Sequence, residues 1–71
     1  MAVEERSHRS SHIAATSYDH DSGDLTVTFT DGSEWLYRGV DPKTYNLLVS
    51  SPSVGRAFNT FVRDSFESEE V

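Results

Sequence analysis

A strictly alternating run, Leu25 to Thr30, constrains the fold more than any other feature of this sequence. Alternation of apolar residues with threonine predicts a strand with two different faces, because successive strand side chains point to opposite sides. The pair Asp31-Gly32 and then the run EWLYRG, with Trp35 and Tyr37, follow it. An Asp-Gly pair between two such runs is a strong hairpin signal. The sequence therefore predicts a β-hairpin with two large aromatic residues on its second strand.

The length of the hairpin loop decides which way these aromatic residues face. A two-residue Asp-Gly loop would place both rings on the threonine face. A three-residue loop, Thr30 to Gly32, with its glycine in a left-handed conformation, places Trp35 opposite Val27 and Tyr37 opposite Leu25. The two pairings exclude each other, since a shift of one residue flips every side chain. We favour the three-residue loop, because a chain of 71 residues cannot easily leave two large rings outside its core.

The rest of the chain predicts one more strand and two short helices. The run IAATSY, Ile13 to Tyr18, is rich in β-branched and aromatic residues, and the turn formers DHDSGD follow it. Asp41 is suited to cap a helix that begins at Pro42. Ser50 to Ser53 interrupts it, with a serine suited to cap a second helix and Pro52 suited to start it. The predicted fold class is α+β, a three-stranded antiparallel meander followed by two short helices packed on one face (βββαα). Its predicted core consists of Leu25, Val27, Phe29, Trp35, Tyr37, Tyr45, Leu48, Phe58 and Phe61.

The two ends of the chain differ from its centre. Residues 1–10 lack apolar periodicity, so we expect a disordered lead-in before a domain at 11–66. Residues 67–71 are expected to form a solvated acidic tail. There is no cysteine and no apolar run of the length that a signal peptide or a membrane helix needs. We therefore expect a protein without membrane contact, located in the cytoplasm of a bacterium, or of a host cell if it is virally encoded.

Charge and motif content argue against several classes of function. The formal net charge is −6, and four of the acids lie in the last eight residues. The chain thus lacks the basic footprint that phosphate binding usually requires. The three histidines lie in segments predicted to be flexible or turns, and no scaffold for a catalytic triad accompanies them. We expect no catalytic site, no metal or other cofactor and no small-molecule substrate.

A binding module remains, and a protein partner is the first hypothesis. An acidic surface with an exposed sheet edge could dock on a partner, for instance as a regulator or inhibitor of a nucleic-acid-handling complex whose basic groove it occupies. The candidate protein-binding residues are Asp31, Glu34, Asp41, Asp64, Thr26, Thr28 and Leu36.

RNA binding is the alternative hypothesis. Arg56, Asn59 and Arg63 follow each other at i, i+3 and i+7, which on a helix makes one polar stripe that could contact phosphates, with Arg38 as a further candidate. The same stripe could equally be a solvated helix face that pairs with Asp64 or Asp41. We favour a protein partner, because the four acids at the end of this helix oppose the approach of a phosphate.

Several short motifs, in their order and spacing, resemble the KTSC domain family. The resemblance covers roughly Ser10 to Phe66. Members of this family occur at the C-terminus of some lysyl-tRNA synthetases and as free-standing short proteins. The motifs are Ser-Ser before Ile13, Tyr18-Asp19, the Leu25-to-Phe29 strand, Asp31-Gly32-Ser33, Trp35-Leu36-Tyr37, Gly39-Val40, Tyr45, and Ser53-x-Gly55-Arg56-x-Phe58-Asn59 with Arg63. The family's usual central motif has tyrosine in place of Trp35, and members often end in a basic and aromatic tail where this chain has SFESEEV. The resemblance implies RNA binding only indirectly, because some members of the family are attached to a lysyl-tRNA synthetase.

Overall fold

Five antiparallel strands form one sheet in chain order, and two helices separate the fourth strand from the fifth. The structure is a computed structural model that describes residues 3–71. Its elements are β1 (Val3–Ser7), β2 (Ile13–Asp19), β3 (Asp24–Phe29), β4 (Glu34–Tyr37), α1 (Pro42–Ser50), α2 (Val54–Phe61) and β5 (Ser68–Glu70). The α+β class is confirmed, but the predicted three-stranded sheet is too small, since β1 and β5 extend it at both edges.

The β3–β4 hairpin has the three-residue loop that the apolar pattern favoured. Leu25 pairs with Tyr37, and Val27 pairs with Trp35. The Phe29 N–H donates to the Ser33 carbonyl at 2.8 Å, and the Gly32 N–H donates to the Phe29 carbonyl at 3.0 Å. Gly32 has φ +93°, a left-handed conformation that glycine adopts without steric cost. The predicted register is therefore confirmed.

The core lies between one face of the sheet and the two helices. Tyr37 is buried there, while Phe29 and Trp35 are half-buried and pack against it. The fully or nearly fully buried side chains include Ile13, Tyr18, Leu25, Val27, Val40, Tyr45, Leu48, Ala57, Phe58 and Val62. Of the predicted core residues, those on the sheet and on α1 take part, and Phe58 is the contribution of α2.

Phe61 was predicted to be in the core, and this prediction is wrong: its side chain is 40% exposed, whereas the next residue, Val62, is fully buried. The buried residues of α2 are Gly55, Ala57 and Phe58, and the buried Val62 follows as the C-cap. At about 100° of rotation per residue, Phe61 lies roughly 75° from the mean direction of these four residues. The small residue Gly55 thus turns the buried side of the helix away from Phe61.

Within the predicted disordered lead-in, 1–10, the residues Val3–Ser7 form a strand; residues 1–2 lie outside the described residues. β1 pairs with β2 along its whole length, from Val3 opposite Asp19 to Ser7 opposite Ala15. Polar side chains fasten it: the Glu4 carboxylate accepts hydrogen bonds from Tyr45 Oη at 3.0 Å and His20 Nε2 at 3.2 Å, and it also pairs with Arg6. Because polar side chains and strand pairing hold β1 in place, its sequence needs no alternation of apolar residues.

The acidic end also contains a short strand, β5. Its three residues pair with β4, and all three are exposed. The Arg38 N–H donates to the Glu67 carbonyl and the Val71 N–H to the Glu34 carbonyl, each at 3.0 Å. The Arg38 guanidinium also pairs with the Glu69 carboxylate. The predicted solvated tail is thus a hydrogen-bonded edge strand whose carboxylates still face water.

The capping signal at Asp41 placed the start of α1 correctly, whereas α2 begins at Val54, two residues after the Pro52 that was expected to start it. Asp41 caps α1, where its carboxylate accepts from the Thr44 N–H at 3.3 Å and from Thr44 Oγ1 at 2.6 Å. Ser53 caps α2 through the Arg56 N–H. These bonds satisfy backbone donors that the first turn of a helix leaves free.

Candidate functional site

A cleft of about 710 Å³ opens between the β3–β4 hairpin, α2 and the segment that leads to β5; we call it the hairpin cleft. Phe58 and Tyr37, both buried, contact each other edge to face with ring centroids 5.3 Å apart. Phe29 meets Phe58 in the same manner at 5.5 Å. Trp35 is half-buried and also lines the cleft. The cleft is of the size of ordinary ligand pockets, and it combines an aromatic lining with a few polar groups, as such pockets do.

The polar lining of the hairpin cleft unites candidates from both binding hypotheses. Asp31 and Asp64 come from the protein-binding set, and Asn59 and Arg63 from the RNA-binding set. All four residues are exposed. Ser33 donates to the Asp31 carboxylate through Oγ at 2.7 Å and N–H at 2.9 Å, and these bonds hold the pKa of Asp31 below its ordinary value. The polar lining of the cleft thus consists mainly of two acidic side chains, one guanidinium and one amide.

The face of the sheet opposite the helices forms a second surface, the outer face. One row of cross-strand neighbours crosses all five strands, and no helix of residues 3–71 covers it. The members of this row, from β1 to β5, are Glu5, Ser17, Thr26, Leu36 and Glu69. Two hydroxylated side chains and one leucine thus lie between carboxylates at both ends.

A shallow depression of about 430 Å³ lies on this face beside the row. Thr26, Thr28 and Glu34, all predicted protein-binding residues, line it together with Glu5 and Ser17. The sequence missed Glu5 and Ser17, because without a β1 strand nothing aligned them with the threonines. Leu36 is half-buried in the row itself. The outer face therefore brings together four of the seven protein-binding candidates.

Asp41 lies apart from both surfaces and serves α1. Its carboxylate is engaged by Thr44, and these hydrogen bonds lower the pKa of Asp41. The seven predicted residues are accordingly divided among the hairpin cleft, the outer face and a helix cap.

The predicted RNA-binding stripe does not lie on a single helix. α2 ends at Phe61, so Arg63 follows the helix rather than continuing it. Arg38 is paired with Glu69, which raises the pKa of the guanidinium and neutralises its charge locally. Within residues 3–71 no ion pair joins Arg56 or Arg63 to a carboxylate, so the alternative of a paired, solvated face is not seen either. Of this set only Asn59 and Arg63 share the cleft.

Two of the three histidines make structural contacts, whereas His12 lines the hairpin cleft. His8 Nε2 lies 2.9 Å from the buried Thr16 hydroxyl, and burial lowers the pKa of His8. His20 packs its ring edge-on against Tyr18 at 4.7 Å while it bonds to Glu4. In the described part of the chain no cluster of three or more His, Asp or Glu residues is arranged to hold a metal ion. The helices of residues 3–71 are also too short and too polar to cross a membrane.

Comparison with known proteins links the chain to one family. The family model of the KTSC domain matches residues 9–66. A protein of Tsukamurella paurometabola is 36% identical over 59 residues, which are 83% of this chain and 88% of that protein. A lysine–tRNA ligase of Nostoc punctiforme is 34% identical over 59 residues, but this chain spans only 10% of the ligase. The crystal structure of a KTSC domain protein from Yersinia pestis matches with a TM-score of 0.92 at 26% identity and covers 99% of each chain.

Proposed function

The chain belongs to the KTSC domain family, and we propose that this member is a small non-catalytic module that binds a basic segment of a partner protein on the outer face of its sheet. The row from Glu5 to Glu69 carries this proposal. Its carboxylates lie at both ends of a strip formed by Ser17, Thr26 and the half-buried Leu36, on which an extended chain can lie flat.

The dimensions of the row indicate what kind of segment fits. Neighbouring strands are about 4.8 Å apart, so four strand spacings set Glu5 and Glu69 roughly 19 Å apart. An extended peptide rises about 3.3 Å per residue, so about six residues span this distance. A lysine or arginine at one end of such a segment would meet Glu5, and one at the other end would compete with Arg38 for Glu69. Glu34 lies beside the row.

Charge supports a basic partner over a nucleic acid. The chain has a net charge of −6, and its potential favours encounter with a positively charged surface. A protein that handles nucleic acids offers such a surface in its own binding groove. Occupation of that groove would make the module a regulator or inhibitor of the nucleic-acid-handling complex.

RNA binding remains the alternative, and the similarity to a lysine–tRNA ligase favours it. Two contacts weaken it for this chain. Arg38 is already paired with Glu69, and Asp31 and Asp64 line the cleft that Arg63 lines. An RNA strand carries a phosphate on every nucleotide, so it would bring several negative charges to these carboxylates, whereas each arginine can neutralise only one of them.

Site-specific crosslinking tests the proposal. A photoreactive amino acid replaces Thr26, in the centre of the row, or Asn46, an exposed residue of α1 that serves as the control. We expect position 26 to crosslink a protein from the native lysate whether or not nuclease is added, and position 46 to crosslink none.

The crosslinked protein is then purified, and its affinity is measured by titration against Thr26→Arg and Asn46→Arg. Both variants add the same charge, so only the position differs. We expect Thr26→Arg to weaken binding at least tenfold and Asn46→Arg to change it less than twofold. Equal effects of both variants, or capture that nuclease abolishes, would refute docking on the outer face and favour RNA.

A further inference from the structure

We propose that the hairpin cleft is a binding site for a nucleoside with at most one phosphate group. This site lies apart from the outer face and goes beyond the proposed protein-binding function. The proposal rests on the aromatic lining, the mixture of polar groups beside it and the balance of charge among them.

The charges that line the cleft disfavour the simpler ligand classes. Asp31 and Asp64 repel a polyanion, and Arg63 offsets one of their two charges, so only one net negative charge remains to attract a simple cation. A purely apolar ligand would leave the amide of Asn59 and these charged groups without partners. What fits is a ligand that is neutral over most of its surface and offers both hydrogen-bond donors and acceptors.

The aromatic lining indicates that the ligand is planar. Phe29 and Trp35 are half-buried and therefore retain exposed ring surface, while Phe58 and Tyr37 beneath them are buried. Bases stack on aromatic side chains, and this stacking is tolerant of base identity because every base has a π-face. A heteroaromatic ring between Phe29 and Trp35 would use the half-buried rings without disturbing the core.

The polar side chains suit the edges of such a ring. The amide of Asn59 can donate to a ring acceptor and accept from a ring donor. The carboxylates of Asp31 and Asp64 accept from amino groups or from ribose hydroxyls. Arg63, with no ion pair in residues 3–71, is the single cation available for a phosphate. One cation beside two carboxylates limits the site to one phosphate.

The sole tryptophan of the chain, Trp35, reports binding directly. We would titrate the full chain with adenosine, guanosine, cytidine and uridine, and with their 5′-monophosphates, and follow Trp35 fluorescence. A ring stacked on the indole is expected to quench it, with a Kd of about 0.1–1 mM for the best nucleoside, in the range expected for so small a ligand. The monophosphate should bind about three- to tenfold more tightly, since Arg63 adds a charge-assisted hydrogen bond.

Three exposed residues supply the variants, so folding is not at risk. Asn59→Ala is expected to weaken nucleoside binding about five- to tenfold. Arg63→Ala should remove the advantage of the monophosphate and leave the nucleoside unaffected. Arg56→Ala is the matched control, because this arginine lies on α2 one turn from Asn59 but does not line the cleft.

The outcomes separate the rival occupants. Absence of saturable quenching up to 10-fold above the expected Kd range, or equal effects of Asn59→Ala and Arg56→Ala, would overturn the proposal. Binding of N-acetylarginine amide as tight as that of the best nucleoside would also overturn it and make the cleft a pocket for a basic side chain. If a trinucleotide binds more tightly than the monophosphate, the ligand of the cleft is a nucleotide within an RNA strand. If both bind with equal affinity, the ligand is a free nucleotide.

Discussion

Replacing Tyr37 with alanine should remove most of the stability of the domain. Tyr37 is 5% exposed, pairs with Leu25 across the hairpin and contacts the ring of Phe58. Truncation of a buried aromatic side chain to alanine typically costs about 3–5 kcal/mol. A folded chain of this length has a total free energy of unfolding of about 4–10 kcal/mol. The variant is therefore expected to be marginally folded at 25 °C.

Urea denaturation followed by circular dichroism measures this loss. With a slope near 1 kcal/mol per molar urea for so small a domain, the midpoint should fall by about 3 M or more. Tyr37→Phe keeps the ring in the core and should shift the midpoint by less than a third of that amount.

The matched control is Leu36→Ala, one residue earlier on the same strand but on the outer face. Leu36 is half-buried and leaves no closed cavity when truncated, so the expected loss is about 1 kcal/mol. If Leu36→Ala destabilised the protein as much as Tyr37→Ala, the assignment of inner and outer faces would be wrong. A urea midpoint of Tyr37→Ala equal to that of the parent would likewise show that the assignment of the two faces is wrong.

Three further predictions concern single contacts. Tyr18→Phe should cost about 1–3 kcal/mol in urea unfolding, because it leaves the buried Val40 carbonyl without the hydroxyl that donates to it at 2.5 Å; no loss would show that water replaces the bond. The lowered pKa of Asp41 stabilises the fold fully above the ordinary value of 3.8, and this contribution disappears as the pH falls through the folded pKa; the midpoint of Asp41→Asn should depend less on pH in this acid range than that of the parent, and an unchanged dependence would contradict this account. If the partner is basic, Glu34→Lys should speed dissociation of the complex, whereas Glu70→Gln should mainly slow association at low salt in stopped-flow measurements. Equal effects of both variants on the dissociation rate would make Glu70 a specific contact.

Local sequence signals determined the central part of the fold. The alternating run from Leu25, the Asp-Gly turn and the requirement to bury Trp35 and Tyr37 together selected one hairpin register. The start of α1 followed from Asp41, because a cap is a bond between residues three positions apart. The serine-rich stretch before α2 offered more than one cap, and only the structure selects Ser53. Such features depend on neighbours along the chain, so they can be predicted from the sequence.

The edges of the sheet were decided by tertiary structure. β1 is held by long-range polar contacts, such as the hydrogen bond that joins Glu4 to Tyr45 across 41 positions. β5 has three exposed residues and depends on pairing with β4 and on the Arg38–Glu69 ion pair. Both strands lie outside the residues 9–66 that match the family model. Neither has an apolar alternation, because an exposed edge strand has no buried face to mark it.

The candidate surfaces also required the tertiary structure. The sequence identified Asp31, Asn59, Arg63 and Asp64 as binding candidates but assigned them to two different hypotheses. Only the packing of α2 against the hairpin brings these four side chains to one cleft. In the same way, β1 brings Glu5 into line with Thr26 on the outer face. A strand pattern or a helix cap depends on spacing along the chain, whereas a binding surface depends on which distant segments pack together, and that is set by the balance of all contacts in the folded core.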